Sequence, residues 1–107
     1  MSLNLYDLPE PLPPEEMFTD LIPDAGVKIE RIVSGGQSTP EGEWYDQDRD
    51  EWVAVIQGSA VLQYEDGSVV TLDTGGHVLI PAHPRHRVAS TSVDPPCVWL
   101  AVHGTLT

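Results

Sequence analysis

Residues 51–58 read EWVAVIQG, an apolar strand that begins with the carboxylate of Glu51 and ends at a glycine. A second marker lies further along, where Gly75 is followed by Pro81 and then by His86. A carboxylate and an imidazole on separate strands can converge inside a barrel, where buried polar side chains need a partner or a function. We therefore predict that Glu51 and His86 form the centre of a site.

The composition favours a single all-β domain. A chain of 107 residues is long enough for one domain and short for two. Nine glycines and ten prolines favour many turns over long helices. The apolar fraction of 40% is ordinary for a folded protein, so we expect a packed core.

The charge of the chain argues against two classes of partner. Seventeen acidic residues and five basic ones give a formal net charge of -12, which repels nucleic acid and anionic lipid surfaces. No apolar run approaches the ~20 residues of a membrane span, and the N-terminus lacks the pattern of a signal peptide. Cys97 is the single cysteine, so no intrachain disulfide can form. We therefore expect a cytoplasmic protein that binds neither nucleic acid nor membranes.

Two segments with different patterns divide the chain. Residues 1–26 predict an N-terminal arm in which Pro14 and the acids after it begin one short helix, residues 14–22. Residues 27–107 predict an antiparallel sandwich or small barrel, because short β-type segments alternate with glycine and proline turns. The predicted strands cover residues 27–33, 51–57, 60–64, 69–72, 77–80, 87–90 and 98–103.

Alternation along the strand at 51–57 predicts which side chains share the interior. Residues two apart on a strand face the same way, so Glu51 points inward if Val53 and Val55 do. Extending the same parity backward places Gln47 and Tyr45 on the inner side. It directs the intervening acids to water, namely Asp46, Asp48 and Asp50.

The opposite face of this strand is also apolar, with Trp52, Ala54 and Ile56. We expect it to be covered either by the N-terminal segment or by a second subunit, and we predict a homodimer. Along the last predicted strand and the residue before it, residues 97–103, alternation places four side chains on one face, but it does not tell whether that face lines the cavity. These are Cys97, Trp99, Ala101 and His103.

The two marked segments resemble the motifs of the cupin family. Glu51, six residues and then Gly58 match the end of the first motif; Gly75, five residues, Pro81 and then His86 match the second. Over residues 27–104 the chain resembles a small single-domain bacterial cupin. The resemblance implies an antiparallel double-stranded β-helix, or jelly-roll barrel, with a small-molecule ligand in its cavity.

The first motif departs from the family pattern at the usual metal ligands. Cupins commonly hold a metal with three histidines and one glutamate, and here Tyr45 and Gln47 stand where two of those histidines are expected. The resemblance then implies iron, manganese or zinc at Gln47, Glu51 and His86. The alternative is a metal-free pair in which Glu51 and His86 bond to each other.

Further candidates surround this set. Tyr45 is a candidate catalytic acid or base, or else part of the cavity wall, and His83 is a candidate proton carrier at the cavity rim or an exposed loop residue. Arg85 and Arg87 would either attract a carboxylate-bearing substrate or pair with the outward-facing aspartates.

Two functions of different classes follow from this set of residues. One is a metal-dependent enzyme of the oxygenase, isomerase or lyase type that acts on a small polar molecule in the barrel cavity. The other is a metal-free cupin that binds or senses a small molecule without catalysis.

Overall fold

Eight antiparallel strands build the protein, and the computed structural model describes residues 3–107. In chain order they are β1 (Met17–Asp20), β2 (Lys28–Ser34), β3 (Asp50–Gln57), β4 (Ala60–Tyr64), β5 (Val69–Leu72), β6 (His77–Ile80), β7 (His86–Thr91) and β8 (Cys97–Gly104). The predicted all-β class is confirmed. All seven strands predicted from the sequence occur, and their ends agree within one residue.

The strands form two sheets whose inner faces enclose the core. One sheet has five strands in the order β1-β2-β8-β3-β6, and the other has three in the order β5-β4-β7. Every neighbouring pair is antiparallel. The core between the sheets is apolar and is filled by side chains such as Val53, Val55, Leu62, Ile80 and Trp99. This arrangement of two antiparallel sheets is the predicted jelly roll.

The predicted N-terminal helix is wrong, because Met17–Asp20 forms strand β1 and no helix occurs within residues 3–107. Strand β1 pairs with β2 in a register that joins Met17 to Val33 and Asp20 to Glu30. A helix of nine residues is marginal on its own. The open edge of β2 instead satisfies the backbone groups of this segment, so tertiary pairing overrides the local helix signal. With no helix in this range, none that could span a bilayer is present there either.

The alternation predicted for β3 is correct for the side chains that face the cavity, but one residue predicted to face water is buried. Asp46 and Asp48 are exposed, whereas Asp50 is only 7% exposed. The Asp50 carboxylate accepts hydrogen bonds from the backbone N–H groups of Ala82 (2.9 Å), Leu106 (2.9 Å) and Thr107 (3.1 Å). The first cause of its lowered pKa is the bond from Leu106. A residue that points away from the cavity is therefore buried by the chain end that folds over it.

The N-terminal arm contacts the outer face of the five-stranded sheet, as one of the two predicted alternatives requires. The Tyr6 hydroxyl donates to the carbonyl of Ile56 at 3.0 Å. Arg31, on the outer face of β2, donates to the carbonyls of Leu5 (3.2 Å) and Asp7 (2.8 Å). These contacts fix the course of the chain before β1.

The hairpin between β3 and β4 turns at Gly58, which has a φ of 78°. A side chain there would meet Ser92 Oγ and would lie 2.9 Å from the carbonyl oxygen of Pro96. Gly67, in the hairpin between β4 and β5, has a similar φ of 93°, but a Cβ there would contact nothing within 4 Å. Comparing alanine substitutions at the two glycines therefore separates the energetic cost of the backbone conformation from that of steric crowding.

We expect Gly58→Ala to destabilise the protein more than Gly67→Ala, as measured by urea unfolding. The conformational cost of a left-handed residue, about 1–2 kcal/mol, applies to both. Only Gly58→Ala adds crowding, which costs about 1–3 kcal/mol more. Equal losses for the two variants would contradict the close approach of Ser92 and Pro96 to Gly58.

Candidate functional site

A cavity of about 280 Å³ lies between the two sheets and is lined by side chains from both. All five strands of the larger sheet contribute, including β1 with Phe18 and β6 with Ile80, and β4 and β7 contribute from the smaller one. The segment before β3 closes one side with Tyr45 and Gln47. Alternation did not tell which face of β8 lines the cavity, and the structure shows that it is the face with Trp99 and His103.

Glu51 is the centre of the polar wall of this cavity. It is 7% exposed, and its Oε1 lies 3.8 Å from His86 Nε2 while its Oε2 lies 3.5 Å from His103 Nε2. Burial raises the pKa of Glu51 above its ordinary value of 4.5, and the two imidazoles and a hydrogen bond with Gln47 oppose that rise. The predicted meeting of Glu51, His86 and Gln47 is therefore present.

The proton on the His86 ring can be assigned from its second contact. His86 Nδ1 lies 3.1 Å from the carbonyl oxygen of Pro84, and a carbonyl only accepts, so Nδ1 carries the proton. In the neutral ring, Nε2 is then an unprotonated acceptor that faces Glu51. Within residues 3–107 no donor bonds to Nε2, although the side chain is only 6% exposed. The cavity thus contains an acceptor that a ligand can satisfy.

A second buried carboxylate, Glu30, was not predicted from the sequence. Its Oε1 lies 3.0 Å from His103 Nε2, and its Oε2 lies 3.5 Å from Lys28 Nζ. Strand β2 carries charges on both faces, Glu30 and Arg31, so alternation gave no reason to choose between them. Pairing with β8 decides the matter, because it sets Lys28 opposite His103 and brings Glu30 alongside.

Tyr45 lies at the mouth of the cavity and is 42% exposed. Its ring centroid is 5.7 Å from that of His86, and the two backbones exchange hydrogen bonds of 2.7 and 3.1 Å. Burial, and then the Glu16 carboxylate, raise the pKa of the phenol. Tyr45 is therefore a neutral hydrogen-bond donor next to the polar wall.

The structure does not bring His83 to the cavity. Its side chain is 70% exposed and pairs with Asp46, with Nδ1 at 3.4 Å from Oδ1. The backbone of His83 has a φ of 81°, and its N–H donates to the carbonyl of Gln47 at 2.9 Å. His83 thus supports the loop that carries Gln47, and its predicted chemical role stays a prediction.

The two arginines beside His86 also lie outside the cavity wall. Arg85 pairs with Asp46 at 3.8 Å and Glu65 at 3.2 Å, so for Arg85 the aspartate-pairing alternative is confirmed. Arg87 donates instead to the side chain of Gln63 (3.0 Å) and the carbonyl of Thr39 (2.9 Å). Both guanidinium groups are thereby engaged in structural contacts.

The donor set around Glu51 fits a divalent metal ion in chemical terms. Within residues 3–107, no three side chains drawn from His, Cys, Asp and Glu are arranged to hold one ion together. The predicted set differs by using the side-chain amide of Gln47, which hydrogen-bonds Glu51 and also has a carbonyl oxygen, together with the Glu51 oxygens and the unprotonated His86 nitrogen. One nitrogen and two oxygens suit iron, manganese or zinc.

Comparisons with known proteins place this arrangement in a family. Residues 29–103 match the family described as Cupin domain. A putative mannose-6-phosphate isomerase from Ralstonia eutropha JMP134 has a solved structure that is 45% identical, with 98% of each chain covered and a TM-score of 0.90. No curated protein matches the sequence.

More distant structures share the fold alone. A cupin superfamily protein from Desulfitobacterium hafniense DCB-2 is 17% identical, with 96% of this chain and 99% of the other covered and a TM-score of 0.73. TT1209 from Thermus thermophilus is also 17% identical, with 97% of this chain and 96% of the other covered and a TM-score of 0.74. The family match and the 45% identical relative together show that this chain belongs to the cupin family.

Proposed function

We propose that this protein is an enzyme of the isomerase or lyase type that moves a proton on a small polar molecule bound in the barrel cavity. One observation carries the proposal: the buried Glu51 carboxyl group and the unprotonated Nε2 of His86 lie side by side on the cavity wall, 3.8 Å apart. Proton transfer needs such a pair within reach of a bound ligand. The name of the Ralstonia relative, an isomerase, supports the same class of reaction.

The surrounding side chains have distinct roles in this proposal. Glu51, whose pKa is raised by burial, is a stronger base than an exposed carboxylate; it takes the proton from a carbon next to a ligand carbonyl group and returns it to the neighbouring carbon. His86 receives a hydrogen bond from a ligand hydroxyl at Nε2, because Nδ1 is held by Pro84. Tyr45 remains protonated and donates to a ligand oxygen at the mouth. His83 has no part, since its side chain faces solvent and Asp46.

A divalent transition metal is a separable part of the proposal. Gln47, Glu51 and His86 would hold the ion, because Gln47 hydrogen-bonds Glu51 and Glu51 Oε1 lies 3.8 Å from His86 Nε2. A bound ion would use the lone pair of His86 Nε2, and the ligand hydroxyl would then bind the ion, which would act as a Lewis acid, in place of its hydrogen bond to Nε2. The orienting contact from Pro84 to His86 Nδ1 is the kind of outer partner that metal-binding histidines commonly have.

A metal-free binding protein is the second candidate, and two observations favour it. His103 already has the Glu30 carboxylate at 3.0 Å, and Tyr45 and Gln47 occupy the positions where the family commonly has histidines. In that case the polar wall is complete through its own ion pairs. The cavity would then orient a ligand by hydrogen bonds without reacting with it.

Deuterium exchange distinguishes the two candidates even while the natural substrate is unidentified. Small sugars, hydroxy ketones and amino sugars, which have a C–H bond next to a carbonyl group, would be incubated with the protein in D₂O, and loss of C–H signals would be followed by NMR. We expect exchange in at least one compound, and a decrease of about 10²–10⁴-fold in Glu51→Gln. Glu41→Gln, an exposed substitution with the same change of charge, would retain the rate. Binding of a compound without any exchange would support the metal-free binding protein instead.

Elemental analysis of protein purified without chelators or a nickel resin tests the metal. We expect stoichiometric iron, manganese or zinc in the wild type and its loss in His86→Ala, which removes the nitrogen donor. His77→Ala is the matched control, because His77 lies on the outer face against the Trp52 indole. Protein that contains no metal and takes up none of the three ions would contradict the metal site.

The raised pKa of Glu51 predicts a pH-dependent change in stability. The folded state holds the Glu51 proton more tightly than the unfolded chain, so its contribution to stability is complete below about 4.5 and is lost as the pH rises through the folded value. The variant Glu51→Gln has no carboxyl group to ionise, so its stability does not decrease in this way as the pH rises. We therefore expect the free energy of unfolding of Glu51→Gln, relative to wild type, to increase as the pH rises above 4.5. A difference that decreases over that range in urea unfolding would contradict the raised pKa.

A further inference from the structure

The carboxylates that line the cavity are not all compensated by positive charge. Three line it, Glu16, Glu30 and Glu51, whereas Lys28 is the one lysine and no arginine takes part. Lys28 Nζ already lies 3.8 Å from Asp20 and 3.5 Å from Glu30. A ligand with a phosphate group would find no free basic side chain among the lining residues. The cavity therefore disfavours anions.

Glu16 is the lining carboxylate without a cationic partner within residues 3–107, since it takes part in none of the ion pairs found there. It is held in place by a chain of two hydrogen bonds. The Trp99 indole donates to Ser34 Oγ at 3.2 Å, and the Ser34 hydroxyl donates to Glu16 Oε2 at 2.6 Å. Ser34 is fully buried, so this chain positions Glu16 from inside the core. Oε1 of Glu16 remains free for a ligand.

The charge of Glu16 acts on other groups of the barrel. After burial, it is the next cause that raises the pKa of the Tyr45 phenol, and it helps burial raise the pKa of Cys97 to about 12. The negative charge of Glu16 raises both pKa values because it disfavours the ionised forms of the phenol and the thiol, and solvent does not screen that charge fully. A cation close to Glu16 would relieve this unfavourable negative potential.

A second observation points independently to a ligand with hydrogen-bond donors. His86 Nε2 is an unpartnered acceptor in a side chain that is 6% exposed, and it faces the same cavity. A hydroxyl group can donate to it, whereas a carboxylate or a phosphate dianion has no proton to offer. The aromatic rings of Phe18 and Tyr45, half exposed at the cavity, add surfaces that attract a cation.

We propose that the ligand is a small amino alcohol with a carbonyl group beside its hydroxyl-bearing carbon, where Glu51 can remove a proton. Its ammonium group pairs with Glu16 beside Phe18 and Tyr45, and its hydroxyl group donates to His86. This inference rests on the proposed function, because it names the substrate class of the same cavity. It departs from the sugar phosphate in the name of the Ralstonia relative. Glu16 selects the charge of the ligand, while Glu51 and His86 act on its hydroxyl-bearing end.

Three probes of matched length test the charge selection: 4-amino-1-butanol, 1,4-butanediol and 4-hydroxybutyrate. Each would be titrated into isotope-labelled protein freed of metal by a chelator, near neutral pH and low salt, with the Trp99 indole N–H resonance as the reporter on Glu16. We expect the amine to bind about fivefold more tightly than the diol and the anion to bind most weakly. The indole resonance should shift most with the amine.

Variants and salt complete the test. Glu16→Gln should lower the affinity for the amine to that for the diol measured on the same variant, whereas Glu41→Gln should retain the preference. If Glu16→Gln does not fold, the salt dependence of the wild type decides, because added salt should weaken the binding of the amine and not that of the diol. Equal or tighter binding of the diol or the anion would overturn the amino alcohol and leave the proposed function standing. Failure of all three probes to bind would also overturn the amino alcohol, while the deuterium exchange separately decides the proposed function.

Discussion

The structure depends on the compensation of one buried carboxylate. An ionised Glu51 without partners would cost several kcal/mol in the barrel interior. Its partners come from both sheets, because His103 belongs to β8 of the larger sheet and His86 to β7 of the smaller one. Glu51 therefore lies where the two sheets face each other across the cavity. The same contacts also place a base and an acceptor on the wall of the cavity.

Acidic residues outnumber basic ones in the cavity as they do in the whole chain, and the three cavity carboxylates differ in the groups that contact them. Glu30 lies beside His103 and Lys28, and burial raises the pKa of Glu51, so that this group loses its charge more readily than an exposed carboxylate. Glu16 is held by neutral donors only, through Ser34 and Trp99. Hydrogen bonds from neutral groups fix the position of a carboxylate without cancelling its charge. A cavity built in this way has one charge left for a ligand.

The strands and their inward faces could be predicted from local pattern, because alternation and turn residues are properties of neighbouring positions. The same local pattern wrongly predicts a helix at residues 14–22, since the proline and acids at residues 14–16 here precede a strand that pairs with the edge of β2. Asp50 was predicted to face water, and its burial depends on Leu106 and Thr107, more than fifty residues away. His83 illustrates the same limit, because the pairing with Asp46 that turns it away from the cavity is a loop contact.

The sequence by itself determined the all-β fold and the shared inner face of Tyr45, Gln47 and Glu51, because a period of two and the spacing of glycines and prolines act locally along the chain. The resemblance to the second cupin motif added His86. Only the tertiary structure decided that β8 turns His103 and Trp99 inward and that Glu30 joins them. It also decided that Glu16 reaches the cavity through the pairing of β1 with β2. The physical reason is that pairing register and charge compensation join residues distant in sequence, which no local pattern can specify.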